Sequence, residues 1–128
     1  MKTIRVALLM LLSAFLAACA GQAMHSAAPA RIADGALVGG NGMTLYNFDK
    51  DVAGSGKSVC NGPCATNWPP LFAMDGEAGA AGYSVITRDD GKKQWAYLGK
   101  PLYFWIKDQK PGDRTGDGFN NVWRVAKP

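Results

Sequence analysis

The chain has 128 residues, with 14 lysine and arginine residues, 10 acidic residues, three cysteines and a single histidine. This length is that of one ordinary domain and excludes a multidomain enzyme. Two of the basic residues, Lys2 and Arg5, lie in an N-terminal segment that does not resemble part of a fold. Without them twelve basic residues face ten acidic ones, so the charge gives no support to nucleic-acid binding.

The first segment, residues 1–18, is predicted to be a signal peptide. Lys2 and Arg5 form a positively charged start, an apolar run follows from Val6 to Leu16, and small residues come next. This order is typical of secretory signals. Even when it is extended to Ala20, the apolar stretch counts fifteen residues, whereas a helix that crosses a membrane needs about 20.

The end of the apolar run carries a lipidation motif. Leu16-Ala17-Ala18-Cys19 resembles the bacterial lipobox, in which diacylglycerol is attached to the cysteine thiol and the signal is cut just before it. The resemblance implies that Cys19 carries covalent lipid as a permanent membrane anchor. Ala20, rather than an aspartate, follows the cysteine, and by resemblance to sorted lipoproteins this favours the periplasmic face of the outer membrane. No other cofactor is predicted.

After the signal, residues 19–33 are predicted to be the lipidated cysteine and a flexible tether. The segment is rich in alanine and shows no hydrophobic period. The only histidine, His25, lies here and is interpreted as a solvated linker residue. Residues 34–128 are predicted to form the folded domain, and all four tryptophans and all four tyrosines fall within it. We therefore expect an aromatic core.

The domain is predicted to be mainly all-β. Strand-like runs enriched in β-branched and aromatic residues occur at 83–87, 95–97 and 102–106. Glycine and proline interrupt the chain at intervals of roughly ten residues, which leaves room for short helical turns only, such as one at 65–68. Residues 89–92 and 98–101 are predicted to be tight turns between strands. The expected architecture is a small antiparallel β domain.

An internal repeat is the most informative feature of the domain. Residues 45–51 align with residues 102–108 at a shift of 57, and Trp68 aligns with Trp123 at a shift of 55. Each copy has a tyrosine, a second aromatic residue two positions later and an aspartate three positions after that. These repeat residues are Tyr46, Phe48 and Asp51 in the first copy, and Tyr103, Trp105 and Asp108 in the second.

The repeat predicts two strand-turn units. A spacing of two puts both aromatic residues of a copy on one face of a strand, and the aspartate follows where it can accept backbone N–H groups of the next turn. The functional alternative is that the aromatic residues line a ligand groove and the aspartates bind a cation or sugar hydroxyls.

Together these motifs resemble a known family. The paired motifs, the segment 60–70, and the segment 94–97 that precedes Gly99-Lys100-Pro101-Leu102-Tyr103 are similar to predicted bacterial lipoproteins defined by this repeat, which are described as a secreted repeat of unknown function. The likeness spans residues 36–126. It implies an extracytoplasmic, β-rich module and supplies no mechanism.

The remaining cysteines, Cys60 and Cys64, are expected to form a disulfide loop. Three residues separate them, unlike the two of thioredoxin-like redox motifs, and no histidine follows as in covalent haem attachment. A local disulfide is the default in an oxidising periplasm. A reversible redox pair and ligation of a soft metal stay open as alternatives.

The sequence does not point to an enzyme. It has no glycine-rich phosphate loop and no nucleophile elbow, and no histidine of the folded domain is available as a general base. The predicted function is a membrane-anchored, non-enzymatic module that binds an envelope protein or glycan, with Trp68, Tyr97 and Trp123 as candidate ligand-binding residues. The alternative is a periplasmic lipoprotein that handles redox equivalents or a metal, such as copper or haem. No metal site is predicted.

Overall fold

Short β-strands dominate the structure, a computed structural model that describes residues 27–128. Frequent glycine, proline and aspartate residues end each strand after two to five residues. The elements are β1 (Ala30–Ala33), β2 (Ala36–Gly39), β3 (Tyr46–Phe48), α1 (Pro63–Asn67), β4 (Tyr83–Thr87), β5 (Lys93–Tyr97), β6 (Lys100–Pro101), a 3-10 turn (Phe119–Asn121) and β7 (Trp123–Val125). The predicted antiparallel, mainly β class with at most short helical turns is confirmed.

Two-residue turns build the local hairpins. Asp34 and Gly35 join β1 to β2 with φ angles of 48° and 75°, and Leu98 and Gly99 join β5 to β6 with φ angles of 49° and 81°. Positive φ at both central positions gives a turn whose twist matches that of the strands. The turn between β4 and β5 lies at residues 88–92, so both tight turns predicted from the sequence are confirmed.

Long-range pairing joins the two repeats. Strand β3 of the first repeat pairs antiparallel with β7 of the second, with Tyr46 opposite Val125 and Phe48 opposite Trp123. Tyr46 also forms a bridge with Tyr103, in which the N–H of each donates to the carbonyl of the other at 2.8 and 3.0 Å. The backbones of the two equivalent tyrosines therefore pair directly with each other.

A second pair of backbone hydrogen bonds is reciprocal in the same way. The Asp49 N–H donates to the Val122 carbonyl at 2.7 Å, and the Ile106 N–H donates to the Asn67 carbonyl at 3.1 Å. Asp49 and Ile106 are equivalent positions of the two repeats, and so are Asn67 and Val122. Each motif thus pairs with the end of the other repeat, so the repeats interlock about an approximate two-fold axis.

The predicted start of the domain needs a correction. The sequence predicts a tether over residues 19–33, yet Ala30–Ala33 form β1, pair with β2 along their whole length and bury Ala30. An alanine-rich strand with no hydrophobic period is recognisable only through the Asp34-Gly35 turn that follows it. The predicted signal peptide and Cys19 lie outside the described residues.

The predicted strand at 102–106 also needs a correction. Regular pairing covers only β6, and Tyr103 then makes isolated bridges to Tyr46 on one side and Pro70 on the other. The segment forms single bridges to two different segments instead of a continuous ladder with one strand. It ends in a turn in which the Asp108 N–H donates to the Trp105 carbonyl at 3.1 Å. The predicted helical turn at 65–68 is found slightly earlier, as α1.

The core consists of two hydrophobic clusters. The larger cluster is mostly aromatic and the smaller one is mixed. The buried residues of the larger cluster are Ala36, Tyr46, Cys60, Trp68, Tyr103, Trp105, Trp123 and Val125. Those of the smaller cluster are Ala30, Leu37, Leu45, Trp95, Leu102 and Ala126. The larger cluster lies between the repeats, so the aromatic core is formed where the two repeats interlock.

Candidate functional site

Two tyrosine–aspartate hydrogen bonds, one buried and one part-buried, cross between the repeats at the centre of the larger cluster. The Tyr46 hydroxyl donates to Asp108 Oδ2 at 2.6 Å, and the Tyr103 hydroxyl donates to Asp51 Oδ2 at 2.5 Å. Both tyrosines are fully buried. We call Tyr46 and Tyr103 the core tyrosines, and the two hydrogen-bonded sets the crossed pairs.

The second oxygen of each aspartate binds its own repeat. Asp51 Oδ1 accepts the Val59 N–H at 2.7 Å. Asp108 Oδ1 accepts both the N–H and the hydroxyl of Thr115, at 3.0 and 2.6 Å. Each carboxylate therefore joins a turn of its own repeat to the tyrosine of the other.

Burial controls the protonation of the crossed pairs. It raises the pKa of both core tyrosines well above the ordinary value, and the hydrogen bonds to Asp108 and Asp51 raise it further, since a nearby carboxylate disfavours a phenolate. Burial also raises the pKa of Asp51, against the lowering effect of the hydrogen bonds from Tyr103 and Val59. The phenolic protons accordingly stay on the tyrosines near neutral pH.

Four aromatic rings form a continuous stack beside the crossed pairs. Their order is Trp105, Trp68, Trp123 and Phe48, with successive centroid distances of 4.0, 3.8 and 4.3 Å and interplanar angles of 22°, 5° and 12°. Trp68 and Trp123, at equivalent repeat positions, occupy the middle, and Phe48 and Trp105 occupy the ends. We call these four rings the aromatic stack.

This burial corrects part of the predicted binding site. Trp68 and Trp123 are each only 3% exposed, because both faces of their rings are covered by other aromatic rings. They pack the core and do not reach a ligand at the surface. Tyr97, the third candidate, is half-buried and lines a surface groove.

Each end of the stack opens into a surface groove. The Phe48 groove, about 430 Å³, is lined by Phe48, Tyr97, Leu98, Lys100, Arg124 and Lys127 among others. The Trp105 groove, about 580 Å³, is lined by Trp105, Ile106, Lys107, Gln109, Thr115 and Phe119. Both volumes are within the range of small-ligand sites.

Charge in the Phe48 groove is predominantly positive. Arg124 Nε lies 3.2 Å from Asp49 Oδ2, which neutralises that pair. Lys100 and Lys127 are exposed and have no ion-pair partner among residues 27–128. Leu98 lies beside them with 64% of its surface exposed. Asp51 also lines the groove, so three cations face two carboxylates, and the groove combines apolar surface with a net charge of +1.

The disulfide loop is connected to the crossed pairs by a buried arginine. Cys60 and Cys64 form the predicted disulfide, with Cys60 buried and Cys64 half-buried. Arg88 donates to the Cys60 carbonyl at 2.5 Å and to Ser58 Oγ at 2.9 Å, and Ser58 Oγ shares a 2.7 Å hydrogen bond with the Tyr103 hydroxyl. One polar network therefore runs from the disulfide loop to Asp51.

Sequence reasoning missed Arg88 because it lies next to a predicted turn. The two-residue period of a strand could have revealed it, because Arg88 lies two residues after Ile86 and both side chains are buried. Gln94 was missed as well, and its side chain accepts a hydrogen bond from Arg88 at 2.7 Å and donates to the Leu102 carbonyl at 2.8 Å. Neutral oxygens surround this buried guanidinium.

The oxygen-rich loop at 108–121 uses its carboxylates for turns. Asp113 Oδ2 accepts the N–H groups of Gln109 and Lys110 at 2.9 and 3.1 Å, and these bonds lower the pKa of Asp113. Asp117 Oδ1 accepts the Val125 N–H at 3.1 Å. Among residues 27–128, no three histidine, cysteine, aspartate or glutamate side chains gather in a way that could hold a metal ion.

The fold and site define a duplicated β module whose two copies interlock through an aromatic core and carry one disulfide. A family model described as a secreted repeat of unknown function matches residues 31–72 and 84–127, and the chain belongs to this family. The two matched ranges correspond to the interlocked repeats. Neither a curated protein nor a solved structure matches the chain.

The family description bears on the location of the protein. Members are described as secreted, which supports export of this chain. Within the part of the chain that the structure covers, no helix has the length and apolar character needed to span a membrane.

Proposed function

We propose that the protein is a lipid-anchored extracytoplasmic lipoprotein whose β domain is a non-enzymatic binding module of the cell envelope. The lipobox-like sequence ending at Cys19 and the secreted character of the family support the location. The anchor is a diacylglycerol group on Cys19, and the periplasmic face of the outer membrane is the proposed site.

The Phe48 groove carries the binding part of the proposal. Phe48, Tyr97 and the exposed Leu98 offer apolar surface, while Lys100 and Lys127 offer positive charge and have no ion-pair partner in the part of the chain that the structure describes. An acidic ligand with apolar side chains would satisfy both features. We take this ligand to be an acidic segment of an envelope protein, since the exposed Leu98 packs better on an aliphatic or aromatic side chain than on the hydroxyl-rich surface of a glycan.

The chemistry of the crossed pairs supports a non-enzymatic role. Both oxygens of Asp51 and Asp108 accept hydrogen bonds from within the domain. A general base has to reach the proton of a substrate, and these carboxylates are occupied by buried tyrosines and turn residues. Because these carboxylates hold the fold together, we assign ligand binding to the surface grooves.

Binding is tested with the full-length chain in detergent and a fluorescent probe peptide that alternates glutamate with leucine and phenylalanine. We expect saturable binding by fluorescence anisotropy. The variant Lys100→Glu/Lys127→Glu should weaken it at least tenfold, equivalent to about 1.4 kcal/mol. The matched control is Lys57→Glu, an exposed lysine outside the groove, which should bind as the wild type does.

Competition with soluble murein fragments identifies the ligand class. If the fragments bind in a Lys100-dependent manner and the peptide does not, the protein-ligand proposal is replaced by a glycan. If the peptide binds equally to the wild type and to the Lys100→Glu/Lys127→Glu variant, the groove is not the site.

The anchor is tested separately through Cys19→Ala. We expect this change to abolish acylation and to release the protein from the membrane fraction or leave it unprocessed. Unchanged lipid labelling and membrane fractionation of the variant would refute the anchor, whatever the result at the Phe48 groove.

One observation favours a second candidate, thiol–disulfide exchange. Cys64 is half-buried on α1 while Cys60 is buried, so an external thiolate could reach only the Cys64 sulfur. Titration of free thiols after mild reductant tests this function. Reversible opening of the bond would support exchange, and a bond that stays closed would leave the disulfide as a structural brace.

A further inference from the structure

Three of the four tryptophans form one column of stacked indoles that reaches a surface groove. Neighbouring centroids lie 4.0 Å apart between Trp105 and Trp68, and 3.8 Å apart between Trp68 and Trp123. At these separations the ring π-systems are in van der Waals contact, and an electron vacancy on one indole can pass to the next. Trp105 lines the Trp105 groove together with Phe119, which is 38% exposed.

The two inner indoles each contact a core tyrosine that has a proton acceptor. Trp68 meets Tyr46 edge-on at 5.4 Å, and Trp123 meets Tyr103 edge-on at 5.1 Å. Oxidation of a phenol at neutral pH requires that its proton leave with the electron, because the phenol cation radical is a very strong acid. In both crossed pairs a carboxylate already accepts that phenolic proton in a hydrogen bond.

We propose that the indole column and the crossed pairs form a one-electron relay that takes up oxidising radicals at the Trp105 groove and holds the oxidising equivalent as a buried tyrosyl radical. The oxidant is a small one-electron radical, such as an azidyl or peroxyl radical. It gains one electron from Trp105 and is reduced to its anion, which leaves an indole cation radical. The relay needs no ligand in the Phe48 groove, although Asp51, the proton acceptor of Tyr103, lines that groove.

The second step moves the vacancy inward and ends at a tyrosine. Trp105 regains an electron from Trp68, and Trp68 from Trp123. Tyr103 then gives one electron to the Trp123 cation radical and its phenolic proton to Asp51 Oδ2. The products are a neutral indole, a tyrosyl radical and a neutral carboxylic acid, so charge and atoms balance. Burial raises the pKa of Asp51, which makes its carboxylate a better proton acceptor.

The second crossed pair offers the same end point. Tyr46 contacts Trp68, the indole before Trp123 in the column, and its proton acceptor is Asp108. The approximate two-fold symmetry of the core therefore provides two equivalent storage sites. The other two tyrosines, Tyr83 and Tyr97, pack on the smaller cluster, and within residues 27–128 their ring contacts are with Trp95 and with each other.

Pulse radiolysis of the full-length chain in detergent tests the relay, with azidyl radicals as the oxidant. We expect the absorption band of the tryptophanyl radical to appear first and to decay as the band of the tyrosyl radical grows. The rate should not depend on protein concentration, because the transfer is intramolecular. It should fall when the measurement is repeated in D2O, because a proton moves with the electron.

A double variant and a control locate the end point. In Tyr46→Phe/Tyr103→Phe the conversion of tryptophanyl to tyrosyl radical should fall at least tenfold. In the control Tyr83→Phe, at a half-buried tyrosine of the smaller cluster, it should proceed as in the wild type. Circular dichroism establishes that each variant is folded.

Three results would overturn the relay. They are a wild-type protein that forms no tyrosyl radical from tryptophanyl radical, a rate that rises with protein concentration, and conversion that survives loss of the core tyrosines. Should the core double variant fail to fold, the wild-type measurement in D2O decides, and an unchanged rate there refutes the coupled transfer of the proton.

Discussion

The crossed pairs make a sharp prediction for the variant Tyr103→Phe. The change removes one buried hydroxyl and leaves the ring in place. Asp51 Oδ2 then loses the only donor it has within residues 27–128, a charge-assisted hydrogen bond of about 1.5–3 kcal/mol, while Asp51 Oδ1 keeps the Val59 N–H. Ser58 Oγ loses its tyrosine partner but keeps Arg88. We expect the free energy of unfolding to fall by about 2–3 kcal/mol.

Denaturant unfolding and thermal melting provide the assay. For a domain of about 100 residues, a loss of this size lowers the melting temperature by roughly 10 °C or more. A double-mutant cycle with Asp51→Asn should give a coupling energy of about 1 kcal/mol or more. The control is Tyr83→Phe, a half-buried tyrosine outside the crossed pairs. If Tyr103→Phe changes stability by no more than this control, the pair does not stabilise the fold as argued.

Three further predictions test the core. In Gly116→Ala the new Cβ would lie 2.7 Å from Trp68 Cη2, so the free energy of unfolding should fall by about 1–3 kcal/mol. Denaturant unfolding measures this loss. The control Gly40→Ala has open space around the new Cβ and should not show it. Replacing Cys60 and Cys64 by alanine should cost about 2 kcal/mol for a five-residue loop, and unchanged melting would contradict a bracing role. The raised pKa of both core tyrosines means that their contribution to stability is present below their unfolded pKa of about 10 and is lost as pH rises above it. Phenolate absorbance and circular dichroism should therefore show these two tyrosines ionising together with unfolding, and ionisation of all four in the folded state would refute the burial argument.

The strand-turn units were predictable because they depend on local chemistry. The Leu98-Gly99 turn and the repeated motif are readable from residue type and spacing alone. The crossing of the repeats was not, because a period of two indicates which residues share a face and does not identify the strand that covers it. Tyr46 could have paired with the aspartate of its own copy, and only the tertiary arrangement directs it to Asp108.

The candidate site was predictable to a smaller extent. Tryptophans with turn residues nearby look alike whether they face solvent or another ring, so Trp68 and Trp123 were assigned to a ligand although the stack covers both faces of each. The Phe48 groove combines residues from distant parts of the chain, such as Tyr97 and Lys127. No local pattern brings such residues together before the repeats interlock.

The two repeats differ where they face solvent and agree where they face each other. Tyrosine, aspartate and the central tryptophan are identical in both copies, because a crossed pair between buried groups needs both partners and a lost partner is costly. At the ends of the stack the copies diverge, with Phe48 and Asp49 in one and Trp105 and Ile106 in the other. Symmetry of the core therefore serves the fold, and the differences between the grooves are where the two halves of the molecule can acquire separate roles.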